Sequence, residues 1–158
     1  MTRALLALGA ILCLQSWCGP AQATLAERAL AELCPHAVEW APFVEAAARR
    51  QLLPPALIVA VMRAESGCTA DAVSARGAVG AMQLLGVARG RLRGAALHDP
   101  EANIDAGARW LALREVDCGS LFLGLGAYNA GKCGKGKGYA RRVLRLFERT
   151  FQHGRKEP

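Results

Sequence analysis

The chain has 158 residues, of which 53% are hydrophobic, and carries a formal charge of +7 at pH 7. A chain of this length is suited to one compact domain with a core of its own. Its basic balance favours anionic partners, but no basic stripe is interleaved with stacking aromatic residues. This pattern argues against a nucleic-acid-binding protein.

The N-terminus has the pattern of a secretory signal peptide, residues 1–23. Arg3 supplies the positive end, residues 4–14 form an apolar run, and a small-x-small pattern predicts cleavage after Ala23. The apolar run is too short to span a bilayer, and we expect no stable membrane span. A lipid anchor at Cys18 is disfavoured, because a bulky tryptophan precedes it where a small residue is wanted. We therefore expect a periplasmic or secreted protein.

Removing 23 of the 158 residues leaves 135, and loss of Arg3 reduces the charge from +7 to +6. An exported basic protein more often meets anionic cell-wall polymer or lipid headgroups than nucleic acid. We expect a monomer without a cofactor.

Helical periodicity and capping signals dominate the rest of the chain, with no alternating strand pattern of any length. The fold class is therefore mostly α. The predicted helices, in order, are 24–33 with a capping box at Thr24, 42–51, 55–65, 81–89, 99–115 capped by Asp99, 120–129 capped by Ser120, and 139–151. Residues 68–80 are predicted to be a loop. The predicted organisation is N-terminal helices at 24–54, a main domain at 55–152, a mobile basic segment at 132–138 and a disordered tail at 153–158.

Four cysteines follow the predicted cleavage site, and an even number in an exported domain predicts two disulfides. A zinc site would need short paired spacings such as Cys-x-x-Cys, which are absent.

The short proline turn between the second and third helices makes them roughly antiparallel. Cys34 precedes Leu52 by 18 residues and Cys68 follows it by 16, so both reach the same end of this hairpin. That pairing leaves Cys118 with Cys133. A ten-residue helix of about 15 Å separates this second pair, whereas disulfide Cα atoms approach within about 7 Å. The alternative pairing, Cys68–Cys133 with Cys34–Cys118, stays open.

Glu65 occupies a position where the helix should be apolar. Leu57, Ile58, Val61 and Met62 form one buried helical face, and Glu65 is the next position on it. Burial and the negative end of the helix dipole both disfavour a carboxylate, so we expect a raised pKa, as a general acid for glycosidic bond cleavage requires. A glutamate that curls out into solvent at the helix end is the alternative.

Four blocks accompany this glutamate in order: Glu65-Ser-Gly67, Ser74-Ala-Arg-Gly-Ala-Val-Gly-Ala-Met-Gln-Leu84, Asp99-Pro-Glu-Ala-Asn-Ile104 and Ala127-Tyr-Asn-Ala-Gly131. Together they resemble the lytic transglycosylase family with the soluble-lytic-transglycosylase (goose-lysozyme-like) catalytic domain. The match covers residues 55–131. The resemblance implies a lysozyme-like single domain that cleaves the β-1,4 bond between N-acetylmuramic acid and N-acetylglucosamine in peptidoglycan, leaving a 1,6-anhydro end.

The resemblance also implies the roles of individual residues. These are Glu65 as sole catalytic acid, Ser66 as an orienting residue, Met82 and Gln83 as a cleft-lining pair, and Tyr128 and Asn129 as side chains that close over the acid. Leu85, Gly86 and Lys132-Cys133 depart from the family pattern, which puts the shape of the substrate subsites in doubt.

Two rival functions stay open. One is a hydrolytic lysozyme of the same fold, in which a carboxylate such as Asp71 positions water; the other is a non-catalytic wall-binding protein. Retention of Glu65, Gln83 and Tyr128 together argues against the latter. The sequence leaves open endo or exo action, and also general turnover or local wall opening for a secretion or motility apparatus. Its small size favours the local role.

Overall fold

The computed structural model describes residues 22–152. Most of the predicted signal peptide, including Cys18, and the predicted tail at 153–158 lie outside the described residues. Within that range, no helix has both the length and the apolar character needed to cross a bilayer.

Six α-helices make up most of the described chain, as the mostly-α prediction requires. They are α1 Leu25–Leu33, α2 Ala41–Gln51, α3 Pro55–Glu65, α4 Pro100–Cys118, α5 Leu121–Ala130 and α6 Lys137–Gln152. Short 3₁₀ helices occupy Pro35–Trp40, Gly86–Arg89 and Gly94–Leu97. Between residues 22 and 152 the only β-pairing consists of isolated bridges, Val73 to Val79 and Val79 to Leu84.

The predicted helix starts follow from local capping. Thr24 and Glu27 form a reciprocal capping box on α1. The Asp99 side chain accepts from the amide of Ala102 at the start of α4, and the Ser120 hydroxyl caps α5 in the same way. Each cap satisfies an amide that has no partner inside its helix.

The predicted helix at 81–89 is wrong for residues 81–85, and only Gly86–Arg89 forms a short 3₁₀ helix. Leu84 pairs with Val79 in a β-bridge, and Gln83 adopts a left-handed conformation with φ of 49°. The amide of Met82 bonds to the buried side chain of Asn103 instead of to a helical carbonyl. A contact with α4, distant in sequence, thus replaces the helical bond that local propensity favoured.

Helix α3 lies at the centre of the fold, packed against α1, α2 and α6. All seven residues from Ala56 to Met62 are buried. A helix that is apolar on every side must be surrounded by other elements. Its position fixes where Glu65, at its C-terminal end, can lie.

Among the residues that the structure describes there are two disulfides, the number that the sequence predicts. They join Cys34 to Cys68, with Cα atoms 6.0 Å apart, and Cys118 to Cys133, at 5.5 Å. This is the pairing that the α2–α3 hairpin favours.

A chain reversal after α5 lets Cys133 reach Cys118. Gly131 ends the helix in a left-handed conformation, and the chain folds back until Gly136 lies directly against Gly126. A side chain at Gly126 would collide with the Lys135 carbonyl, so this return path requires glycine.

Candidate active site

Glu65 is the last residue of α3 and is partly buried. Ser66 is the C-cap, and Gly67 follows with φ of 65°, a left-handed conformation that glycine adopts readily after a helix end. The carboxyl is therefore held at the rim of the core by α3, in which residues 56–62 are all buried.

The surroundings of Glu65 raise its pKa above the ordinary value of 4.5. Burial is the largest cause, because removal from water penalises the carboxylate. The Tyr139 hydroxyl and the Arg142 guanidinium act in the opposite direction and lower the pKa. The net direction favours a protonated carboxyl, as expected for a general acid.

Two tyrosines from different helices pack beside this carboxyl. Tyr128 of α5 and Tyr139 of α6 stack with ring centroids 6.5 Å apart and planes 8° apart. Burial, followed by the nearby charge of Glu65, raises the pKa of both phenols well above the usual value. Both phenols therefore stay neutral and keep their hydroxyl protons.

The two hydroxyls differ in their partners. Tyr128 donates to the backbone carbonyl of Met82 at 2.7 Å. Tyr139 has no hydrogen-bond partner of normal geometry among residues 22–152, although its hydroxyl lies close enough to Glu65 to lower the pKa of that carboxyl.

Ser66 joins the end of α3 to the next turn of the cleft. Its hydroxyl donates to the Ala81 carbonyl at 2.7 Å and accepts from the Thr69 amide at 3.0 Å. Ser66 thereby links the backbone just after α3 to the backbone at Ala81, and it does not line the cavity.

Met82 and Gln83 lie in different environments. The side chain of Met82 is fully buried beneath the cleft, packed against Gly107 of α4. Gln83 faces the cavity, and its amide nitrogen donates to the carbonyls of Ala72 and Gly80, both at 3.1 Å. Only Gln83 of this pair lines the cleft.

An open cavity of about 600 Å³ adjoins Glu65. Tyr128, Asn129 and Gln83 lie on its wall, so the structure brings these three predicted residues together with the acid. The remaining lining residues are Ser74, Ala75, Arg76, Ala78, Leu85, Gly86, Val87, Ala88, Trp110 and Gly131.

Glu65 is the only acid among the lining residues of this cavity. The side chain of Asp71, the second carboxylate of the lysozyme alternative, is 92% exposed and lies 3.6 Å from His98. It does not line the cavity. Within residues 22–152 no group of His, Cys, Asp and Glu side chains is arranged to hold a metal ion.

Sequence reasoning missed four residues of the site: Tyr139, Arg142, Arg76 and Trp110. Tyr139 and Arg142 stand three positions apart on one face of an amphipathic helix, a signal that the sequence does contain. Nothing local indicates that this face packs against the end of α3. Arg142 makes that contact by donating to the Ala64 carbonyl at 2.6 Å.

Comparisons with known proteins agree with this geometry. The family model described as Transglycosylase SLT domain matches residues 42–143. The endo-type membrane-bound lytic murein transglycosylases A of Salmonella typhimurium and Salmonella enteritidis are each 37% identical to this chain over 90 residues. These matches cover 50% of this chain and 44% of each relative, so the chain spans less than half of their length.

A solved structure of a lytic transglycosylase is also similar to this chain. It is an inactive glutamate-to-glutamine mutant of the lytic transglycosylase Slt from Pseudomonas aeruginosa, which superimposes with a TM-score of 0.52 at 28% identity. The similarity covers 69% of this chain and 20% of that one. Since the family model matches well over half of the chain around Glu65, the chain belongs to the transglycosylase SLT domain family.

Proposed function

We propose that this protein is a peptidoglycan lytic transglycosylase. It cleaves the β-1,4 bond between N-acetylmuramic acid and N-acetylglucosamine and leaves a 1,6-anhydro-muramoyl end, with Glu65 as sole general acid and base. The observation that carries the proposal is a single partly buried carboxyl, with its pKa raised by burial, in a cavity without a second lining acid.

Hydrolytic glycosidases use two carboxyl groups, separated by about 5–5.5 Å in retaining enzymes and about 6.5–9.5 Å in inverting enzymes. The cavity provides one. Asp71 is exposed and lies beside His98, outside the lining. This arrangement supports a reaction in which the substrate supplies its own nucleophiles, and gives no support to the lysozyme alternative.

The proposed reaction balances its protons and returns Glu65 to its protonated form. Glu65 donates its proton to the glycosidic oxygen as the bond from that oxygen to the anomeric carbon breaks. The 2-acetamido oxygen stabilises the anomeric carbon, and the 6-hydroxyl of the same sugar then attacks that carbon. Glu65, now a carboxylate, accepts the proton of the 6-hydroxyl, and no water is consumed.

The neighbours of Glu65 fit both halves of this cycle. Burial favours the protonated acid that begins the reaction. Arg142 and Tyr139 oppose that effect and stabilise the carboxylate that exists between the two proton transfers. Opposing influences of this kind suit a carboxyl that acts first as an acid and then as a base.

We assign this activity to the periplasm or the secreted space, because the N-terminal pattern predicts export and peptidoglycan lies outside the cytoplasm.

We further propose that residues 24–54 belong to the same folding unit as residues 55–152. Helices α1 and α2 support it, since both pack against α3.

Mass spectrometry of muropeptides released from purified wall sacculi tests the function. Wild-type protein should release 1,6-anhydro-muramoyl products, and Glu65→Gln should release almost none while keeping its helical circular dichroism spectrum. Glu65→Asp should also be poor, because it withdraws the carboxyl by one methylene. Dominant reducing-end products would support the lysozyme alternative, and absence of any released product would leave a wall-binding protein.

A further inference from the structure

We infer that Arg76 binds a peptide carboxylate of the substrate, which makes this cleft specific for glycan strands whose muramoyl sugars carry acidic stem peptides. The inference rests on the proposed function and names the chemical group that the cleft selects beyond the sugar backbone.

Arg76 is the only cation among the lining residues of the cavity. Its side chain is exposed, and no hydrogen bond or ion pair engages its guanidinium among the described residues. The cation that acts on the pKa of Glu65 is Arg142, not Arg76. Arg76 is therefore available to a ligand and is not committed to the acid.

The backbone that carries Arg76 is held in a tight turn. The Gly77 amide donates to the Ser74 carbonyl at 2.8 Å. The Ser74 amide donates to the Ala78 carbonyl at 2.9 Å, and the Ala78 amide donates to the Ser74 hydroxyl at 3.0 Å. The guanidinium of Arg89 donates to the Gly77 carbonyl and to that of Leu84. Because this turn is already held on both sides, little backbone conformational entropy is lost when Arg76 binds a ligand.

Charge then selects the ligand. Arg76 is the only arginine, lysine or histidine on the cavity wall, and burial raises the pKa of Glu65, the only acid there. N-acetylated sugars bring hydroxyl and amide groups, which are neutral. The anionic groups of a peptidoglycan strand are carboxylates on the lactyl-peptide arm of the muramoyl sugar. A guanidinium binds a carboxylate with two parallel hydrogen bonds.

The carboxylate could belong to the stem peptide or to the lactyl group, and three substrates distinguish these two sources. Intact strands carry peptide carboxylates. Strands stripped by an amidase carry only the lactyl carboxylate. Strands whose carboxyls have been coupled to methylamine with a carbodiimide carry neither. The readout is the initial rate of release at substrate concentrations below KM, for wild type, Arg76→Gln and Arg76→Lys.

Arg76→Gln should lower this rate roughly three- to tenfold on intact strands, the range for losing one partly solvated charge-assisted contact. Arg76→Lys should recover part of the loss. The rates of wild type and Arg76→Gln should be equal on stripped and on amidated strands. Arg91→Gln removes the same charge from an exposed position outside the cavity and should match wild type on all three substrates.

Three results would overturn the inference, two in the rates and one in binding. If Arg76→Gln lowers the rate on amidated strands as much as on intact strands, Arg76 acts on the fold of the cleft. If it lowers the rate equally on stripped strands, the lactyl carboxylate is the ligand. A binding measurement tests the inference independently of the proposed enzymatic activity. Retention of soluble intact strands by Glu65→Gln should weaken when Arg76→Gln is added, even if wild type releases no product. Unchanged retention would also overturn the inference.

Discussion

The hydroxyl of Tyr128 donates a hydrogen bond to the backbone carbonyl of Met82 at 2.7 Å, across 46 residues of sequence. It ties α5 to the turn that presents Gln83 to the cleft. The opposite side of the same turn is held by Asn103, which is fully buried and accepts from the Met82 amide at 2.8 Å. The backbone of one buried residue is thus fixed from two helices, and the cleft wall depends on both.

Tyr128→Phe removes this bond and keeps the ring. The free energy of unfolding should fall by about 1 kcal/mol, the usual net cost of losing one intramolecular hydrogen bond. Activity should fall roughly tenfold, because the turn carrying Gln83 loses its anchor. Chemical denaturation and initial rates measure the two effects.

Tyr139→Phe is the matched control for that stability effect. The Tyr139 hydroxyl lacks a partner of normal geometry among the described residues, so its removal should cost little stability. Equal losses of stability in the two variants would contradict the role assigned to the Tyr128 bond.

Glu65→Gln should change the dependence of stability on pH. The folded-state pKa of Glu65 is raised, so folding binds a proton between the ordinary pKa and the folded one, and wild-type stability falls as pH rises through that window. Glutamine has no such penalty. The variant should therefore melt above wild type at neutral pH, and the advantage should shrink below the ordinary pKa of 4.5. A pH-independent difference in melting temperature would show that Glu65 is solvated.

Arg142→Gln should shift the alkaline limb of the pH–rate profile to higher pH. Arg142 lowers the pKa of Glu65; without it that pKa rises further, and the protonated acid persists to higher pH. The maximal rate should fall, because the carboxylate between the two proton transfers loses its nearby cation. Arg142→Lys should keep most of the wild-type profile.

Arg145→Gln is the control for the Arg142 experiment, since it removes an exposed arginine from the same helix. Its profile should overlie that of wild type. An Arg142→Gln profile that falls in height without moving along the pH axis would reduce Arg142 to a structural contact with the Ala64 carbonyl.

Gly107→Ala tests the packing beneath the cleft. A Cβ at this position would lie 2.6 Å from the Cβ of Met82 and closer still to its sulfur. Overpacking of this kind costs about 1–3 kcal/mol, and the displaced Met82 should carry Gln83 with it and lower the activity. In a Met82→Ala background, which removes the sulfur and the terminal methyl and keeps only the Cβ contact, Gly107→Ala should cost less than in wild type. Additive losses in the double variant would show that the two residues do not compete for space.

Much of the helical framework could be predicted from the sequence because its determinants are local. Thr24, Asp99 and Ser120 cap helices through amides three residues away, and such bonds form wherever the chain becomes helical. The environment of Glu65 was also predictable, since the apolar spacing before it placed the carboxyl on a buried face and Gly67 ended the helix directly after it.

The turn at 81–84 and the side chains that surround Glu65 depended on tertiary contacts and could not be predicted from local sequence. The segment 81–84 has apolar residues at a helical spacing, yet bonds from Asn103 and Tyr128 draw its backbone into a turn. Tyr139 and Arg142 reach Glu65 only because α6 packs against α3. Local sequence determines which backbone bonds form within a helix and which residues are apolar enough to be buried. Which buried partners meet across 20 to 80 residues depends on how the helices pack, and that is set by the whole core at once.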